Sequence, residues 1–167
     1  MRTNRAGRLL KEKIKNLGAL KKIISRLKNK GRKIVFTNGC FDLLHYGHAK
    51  YLQDAKAKGD ILVVAINSDA SVRKIKGSKR PIVNEKDRLK IIAALESVDY
   101  AFLFGEDTPL GVIKTLKPDI LIKGADWKRG DIVGGKYISG IGGKVLTIKL
   151  VKNRSTTDLI RKIAKAF

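Results

Sequence analysis

An α/β fold, built on a five-stranded parallel sheet flanked by helices, is what this 167-residue sequence predicts, and three observations predict it. Short apolar runs alternate with segments of helical periodicity along the chain. The run ILVVAI (61–66) is apolar throughout, as a strand covered on both faces must be. No internal repeat or long linker interrupts the alternation, so right-handed crossovers between parallel strands follow.

Residues 1–8 read as a loose basic tail. From Leu9 to about Lys30, apolar residues recur at helical spacing (Leu10, Ile14, Leu17, Leu20, Ile24, Leu27), predicting one amphipathic, lysine-rich helix that Gly31 ends. This sets residues 1–31 apart from a domain over 32–167. KIVFT (33–37) is the first strand, YGHAKYLQDAKAK (46–58) a helix, and ILVVAI the second strand. The helix over 84–95 opens on Asn84 as N-cap, with Asp87 three residues on in a variant of the capping box. YAFLF (100–104) is the third strand. Thr108-Pro109 starts a helix with proline at its first position, and Lys117 before Pro118 stops it. DILIKG (119–124) and KVLTIKL (144–150) are the fourth and fifth strands. A short helical stretch around 131–138 interrupts the glycine-rich segment between them, and STTDLIRKIAKAF (155–167) forms the last helix.

Composition narrows the function. Lys and Arg number 37 against 15 Asp and Glu, a net charge of +22, and such a field attracts polyanions, whether nucleic acid or small phosphorylated substrates. No apolar run approaches the length of a membrane span, and the N-terminus has no apolar stretch leading to a small-residue cleavage site. A cytoplasmic protein is therefore expected, without membrane association. The single cysteine, Cys40, excludes an internal disulfide and a cysteine-rich zinc site.

The residues that carry chemistry follow the carboxyl ends of strands, where an open parallel sheet places its ligand. After the first strand come Asn38, Gly39, Cys40, Phe41, Asp42, His45 and His48. Asn67, Ser68 and Asp69 follow the second, and then a basic loop, RKIKGSKRP. Lys123, Gly124, Asp126 and Trp127 follow the fourth. Asn153, Arg154, Ser155, Thr156 and Thr157 follow the fifth. His45 and His48 are the only two histidines, and they begin a helix whose free N–H groups favour a bound anion. Gly47 lets a phosphate approach the backbone, and the two imidazoles project to one side as donors. A triphosphate is the natural guest, with neither a Walker A sequence nor GxGxxG to place it in the commoner nucleotide folds. Lys76 and Arg80 are the members of the basic loop that could close on the phosphates. Arg88 reads either as a phosphate ligand or as a surface partner of Asp87 or Glu85. Two other readings of the histidines stand beside this one: a metal site with Cys40 and Asp42, or structural imidazoles satisfied by backbone. Ser155 and Thr156 could cap the last helix as well as touch phosphate.

GCFDLLHYGH resembles the signature of the nucleotidyltransferase superfamily that carries an HxGH motif, and NRSTTDLI resembles its second signature. Within the superfamily, VFTNGCFDLLHYGHAKYL, AINSDASVRKIKG, RPIVNEKDRLKIIAAL and PDILIKGADW are similar to the adenylyltransferases that make ADP-heptose from heptose 1-phosphate. The match runs in register over about residues 32–165. It implies a Rossmann-like nucleotidyltransferase fold, with His45 and His48 stabilising charge on the nucleotide phosphates. Arg88 would grip phosphate beside them, and Ser155, Thr156 and Thr157 would contact the nucleotide phosphates. Asp126 and Trp127 would lie near the nucleoside, and relatives often carry a hydroxyl residue where Cys40 stands. The resemblance further implies ATP as substrate with Mg²⁺, no metal held by protein ligands, and a homodimer like those of relatives. A separate sugar kinase would supply the acceptor, since relatives often carry that kinase on the same chain. Glycerol-3-phosphate cytidylyltransferases share the layout and form the nearest alternative. A basic nucleic-acid-binding module is the alternative from another class, but the low aromatic content offers few stacking platforms.

Overall fold

The computed structural model describes residues 9–152 and 154–166; the basic tail, Asn153 and Phe167 lie outside the described residues. Five parallel strands form one sheet in the order β3-β2-β1-β4-β5: β1 Ile34–Gly39, β2 Ile61–Asn67, β3 Tyr100–Phe104, β4 Ile120–Gly124 and β5 Lys144–Ile148. The Rossmann-like sheet expected from the sequence is present, in order. The chain builds outward from β1 to β3, then returns to the other side of β1 for β4 and β5. The connections therefore diverge between β1 and β4, which is where a doubly wound sheet opens a ligand crevice.

Alternation along the strands divides the core in two. Ile34, Phe36, Ile61 and Val63 point to one face and pack with Leu20 and Ile24 of α2 (Leu17–Asn29) and Val112 and Ile113 of α6 (Leu110–Leu116). Val35, Leu62, Val64 and Ile66 point to the other, against Leu52 and Ala55 of α3 (Tyr46–Lys56) and Ile92 and Ala93 of α5 (Glu85–Ala94). Each fully buried aliphatic side chain contributes about 1.5–3 kcal/mol of transfer free energy. β2 is buried along its whole length, as its unbroken apolar run requires.

The expected single helix over 9–30 is two helices. α1 spans Leu10–Lys13, and Ile14 then turns extended and bridges to Ala101 on the β3 edge. Asn16 restarts the helix as α2 by accepting from the Ala19 N–H at 2.8 Å. Helical spacing alone hid the break, because pairing Ile14 with an open sheet edge outweighs one more turn. Asn84 caps α5 as expected, its Oδ1 accepting from the Asp87 N–H at 3.0 Å. Pro109 sits one position early, at the N-cap of α6, and Lys117 closes that helix with φ 46°. The short helix expected around 131–138 is a 3-10 turn over Arg129–Asp131 followed by α7 (Gly135–Gly140). β5 stops at Ile148, which frees Leu150 and Val151 to turn toward the cavity described next.

The basic segment after β2 also differs from the loop expected. Ser68 accepts from the Ser71 N–H at 3.2 Å and starts α4 (Asp69–Lys76), so Arg73, Lys74 and Lys76 ride on a helix. Only the segment from Gly77 to Asn84 is loop, and Asp42 ties it down. The Asp42 carboxylate accepts from the Ile82 and Val83 N–H groups at 2.9 Å each and pairs with Arg80 Nε at 3.1 Å.

Candidate active site

A cavity of about 600 Å³ lies beyond the carboxyl ends of the strands, a volume typical of small-ligand sites. Its floor is the exit from β1. Phe41 takes a left-handed φ of 45° and folds its ring back over Gly39, where any Cβ would come within 2.9 Å of the ring. His45 follows as the extended N-cap of α3, and no side chain caps that helix's first turn. The His48 N–H donates to the His45 carbonyl at 2.9 Å, which closes the turn and brings the imidazoles together. Their rings stack with centroids 3.9 Å apart, and Phe41 meets His48 edge-on at 5.4 Å.

Gly47 makes this packing possible. A Cβ there would stand 2.9 Å from the His45 ring and 3.3 Å from Cβ of Arg154. The glycine therefore makes room for the imidazole, a reason that comes before any approach of ligand to backbone. Nδ1 of His45, Nδ1 of His48 and Oδ1 of Asn38 are buried without hydrogen-bond partners. Structural imidazoles would have satisfied these atoms, since an orphaned buried polar atom costs about 1–3 kcal/mol. All three belong to residues that line the cavity, and such exceptions to full hydrogen bonding mark functional sites.

Burial sets the electrostatics. Desolvation, with the neighbouring His45 charge adding to it, pushes His48 down to about 4, and burial with Arg154 nearby lowers His45. Both imidazoles are therefore neutral near pH 7, so fixed positive charge in the cavity comes from Lys76, Lys123 and Arg154. Lys123 is itself lowered to about 8 by burial, partly offset by Cys40 and Asp126; its Nζ donates to the Asn38 carbonyl at 3.1 Å. Burial raises the Cys40 thiol, and the surrounding Lys76, Arg88 and Lys123 charges only partly oppose it.

Most of the residues singled out from sequence converge here. Asn38, Gly39, Cys40, Phe41, Gly47 and the two histidines form the floor; Lys76 reaches in from the end of α4. Lys123, Gly124, Asp126 and Trp127 line the β4 side, where the Lys123 Nζ lies 5.4 Å from the Trp127 ring centroid. A Cβ on Gly124 would meet the Asp126 carboxylate, which would have to swing away. Ser155 lines the cavity and also caps α8 (Thr156–Ala166), its Oγ accepting from the Asp158 N–H at 3.0 Å. Thr156 donates to the Leu43 carbonyl at 3.3 Å, and neither it nor Thr157 lines the cavity.

Arg88 is placed differently from either sequence reading. It is fully buried and outside the cavity lining, and its ion pair is with Asp69 at 2.7 Å, not Asp87 or Glu85. Its guanidinium also donates to the carbonyls of Val83, Cys40 and Asn67, tying the exits of β1 and β2 to the start of α5. The suggested metal cluster does not assemble. Asp42 is committed to the loop, and among the described residues no three His, Cys, Asp or Glu groups converge. Arg80 is held by Asp42.

The β3 side of the cavity was missed. Asp107, Thr108 and Pro109 line it, together with Ile75 from α4. The rule that found the other residues applies here too, since these three follow the carboxyl end of β3. Nothing in their types flagged them, as Thr-Pro reads first as a helix start.

Comparison with known proteins gives the family. The family model described as cytidylyltransferase-like matches residues 36–162. The bifunctional protein HldE of Geobacter metallireducens is 54% identical over 155 residues, covering 93% of this chain and 32% of that protein. HldE of Geobacter sulfurreducens is 50% identical over the same length and shares. The chain thus spans about a third of the length of these curated relatives. Among solved structures, the lipopolysaccharide core biosynthesis protein from Thermoplasma volcanium superposes with a TM-score of 0.62 at 33% identity, over 74% of this chain and all of that one. Pantoate-beta-alanine ligase from Francisella tularensis, complexed with an ATP analogue and beta-alanine, has a TM-score of 0.61 over 92% of this chain and 76% of that one; at 19% identity it shares the fold.

Proposed function

The chain belongs to the cytidylyltransferase-like family of nucleotidyltransferases, and from that membership we propose that it transfers AMP from ATP to heptose 1-phosphate, giving ADP-heptose and pyrophosphate. The carrying observation is the stacked histidine pair at the uncapped start of α3, in the lining of a cavity that also holds Lys76 and Lys123. The resemblance of GCFDLLHYGH and PDILIKGADW to heptose-phosphate adenylyltransferases supports the choice of acceptor. So do the HldE relatives and the likeness to a lipopolysaccharide core biosynthesis protein.

In this reading an oxygen of the sugar phosphate attacks the α-phosphorus of ATP in line. The bond from the α-phosphorus to the bridging oxygen breaks, and pyrophosphate leaves with that oxygen and the electron pair. The nucleophile is already an anion, so no general base is needed. Catalysis rests on positioning and on donors aimed at developing negative charge. His45 and His48 donate to phosphate oxygens at the N-terminus of α3, and Lys76 and Lys123 supply positive charge. Ser155 lies beside them with its hydroxyl donating to Asp158 Oδ2 at 2.6 Å, while Trp127 and Asp126 hold the nucleoside. Arg88 acts through the backbone of Cys40 and Asn67 and positions the floor. Mg²⁺ would lower the charge on the triphosphate; the described residues offer it no protein cage, so it would arrive with the nucleotide.

The reading assigns transfer to residues 32–167, with α2 packed into the same core. The reading places it in the cytoplasm, with the acceptor made by a heptose kinase. Pyrophosphate release tests it, with ATP and CTP each crossed with heptose 1-phosphate and glycerol 3-phosphate in the presence of Mg²⁺. Turnover with ATP and heptose 1-phosphate alone is the expected result. Turnover with CTP and glycerol 3-phosphate alone would keep the mechanism and overturn both substrates.

A further inference from the structure

Among the described residues, Lys76, Lys123 and Arg154 are the only lysines and arginines that line the cavity, so most of the net charge of +22 lies elsewhere. It is not spread evenly over the two layers of helices that cover the sheet. α2, α6 and α7 pack on one face through Leu20, Ile24, Ile113 and Ile138, and they contain six basic residues and no acidic one. α3 and α5 cover the other face with five basic residues and three acidic ones. Pairing differs in the same sense. Of those five, Lys50, Lys56, Arg88 and Lys90 each form an ion pair with a carboxylate. On the first layer only Lys28 does, with Asp119 at 3.3 Å. Lys21, Lys22, Arg26, Lys114 and Lys136 are exposed, have no ion-pair partner among the described residues, and stand outside the cavity lining.

Stability does not account for this row. Lys22, Arg26 and Lys30, the C-cap of α2, follow one another at four-residue steps, so like charges stack on neighbouring turns, which weakens a helix. A polyanion lying along α2 would meet a cation every 6 Å or so, roughly one turn of helix, and remove that repulsion. Ser25 and Asn29 complete the exposed side of α2, and both side chains donate to phosphate oxygens. The apolar side of α2 is packed on the sheet, which leaves it nothing to insert into a bilayer. The exposed aromatic residues, Tyr46 and Trp127, lie on other elements, so unpaired bases find no stacking platform on this layer. We infer that the layer of α2, α6 and α7 is an interaction surface for duplex nucleic acid, held through its phosphates without reading of sequence. This is a second function, independent of nucleotidyl transfer.

Fluorescence anisotropy of a short labelled duplex with the whole chain, from about 50 to 200 mM salt, tests it. Wild type should bind with an affinity that falls steeply as salt rises. Lys22→Gln/Arg26→Gln/Lys114→Gln should take about three from the slope of log K against log salt, and lower affinity by a factor on the order of 10² at about 0.1 M salt. The control Lys58→Gln/Lys86→Gln/Lys90→Gln removes the same charge from the side of α3 and α5 and should keep the wild-type slope. A thermal scan checks that both are folded. Should the first variant not fold, Lys22→Gln and Arg26→Gln alone should each lower the slope by about one. Equal losses in variant and control would reduce binding to net charge and overturn the inference, as would an unchanged slope in the variants of this layer. Tighter binding to the single strand than to the duplex would overturn it too. So would a wild type that adsorbs to phosphatidylserine vesicles and ignores the duplex. Duplex binding by a protein that releases no pyrophosphate would defeat the proposed reaction and leave this surface standing.

Discussion

The imidazoles of His45 and His48 stack with centroids 3.9 Å apart and planes inclined by 22°. Two protonated rings at that distance would repel, which is one reason His48 is pushed down to about 4. In the proposed reaction the pair starts as neutral imidazoles that can donate to phosphate oxygens. The negative charge of a bound triphosphate would draw a proton back onto them.

His48→Ala should lower turnover by a factor on the order of 10²–10³, the usual loss for one donor to developing charge. Its melting temperature should change little, because the lost side chain leaves no orphaned partner. Steady-state rates and a thermal scan on the same preparation check this; near-normal turnover in the folded variant would remove His48 from the mechanism.

Gly47→Ala should be nearly as harmful to turnover, for a different reason. The new Cβ would stand 2.9 Å from the His45 ring and must push it aside. A crystal structure of the variant should show His45 displaced and the stack with His48 broken.

The pH dependence of stability follows from His48. The unfolded chain takes up a proton near 6.5, whereas the folded one takes it up only near 4. Between those values the unfolded state binds more protons, so stability falls as the pH falls from 6.5 to 4. Denaturant titrations across that window should show a shallower decline in His48→Gln. Addition of ATP should raise the His48 titration midpoint seen by NMR.

Lys123 sets the alkaline side. Its amine loses a proton near 8 in the free protein, and only the ammonium holds phosphate. kcat/KM, which reports the free enzyme, should fall as the pH rises through 8. Lys123→Met should lower the plateau and abolish that limb; a variant that keeps the limb would assign it to another group.

Arg88→Met should unfold the protein most readily. It removes a fully buried guanidinium that bonds three backbone carbonyls and leaves Asp69 without its partner. Breaking a buried pair on one side costs about 3–5 kcal/mol. Chemical denaturation should show that loss, with turnover reduced through the displaced turn at Cys40.

The sheet was legible in the sequence because a strand buried on both faces leaves an unbroken apolar run, and ILVVAI does so. Most of the cavity was legible too, because histidine, glycine and asparagine past a strand end have few purely structural reasons to cluster. Arg88 was not, since an arginine one turn into a helix looks solvated until distant carbonyls close around it. The break at Ile14 was hidden for a similar reason: a sheet edge far along the chain makes the extended conformation worthwhile. Lys76 sits on a helix that its lysine-rich neighbours disguised as a loop. Asp107 carried no signal in the sequence, and only the fold brings it to the cavity.

The most direct test is ³¹P NMR of the wild-type protein with ATP, heptose 1-phosphate and Mg²⁺. The account predicts a new pyrophosphate-diester signal from ADP-heptose, growing in step with free pyrophosphate. Formation of ADP or AMP without the diester, or no reaction by the folded protein, would contradict it.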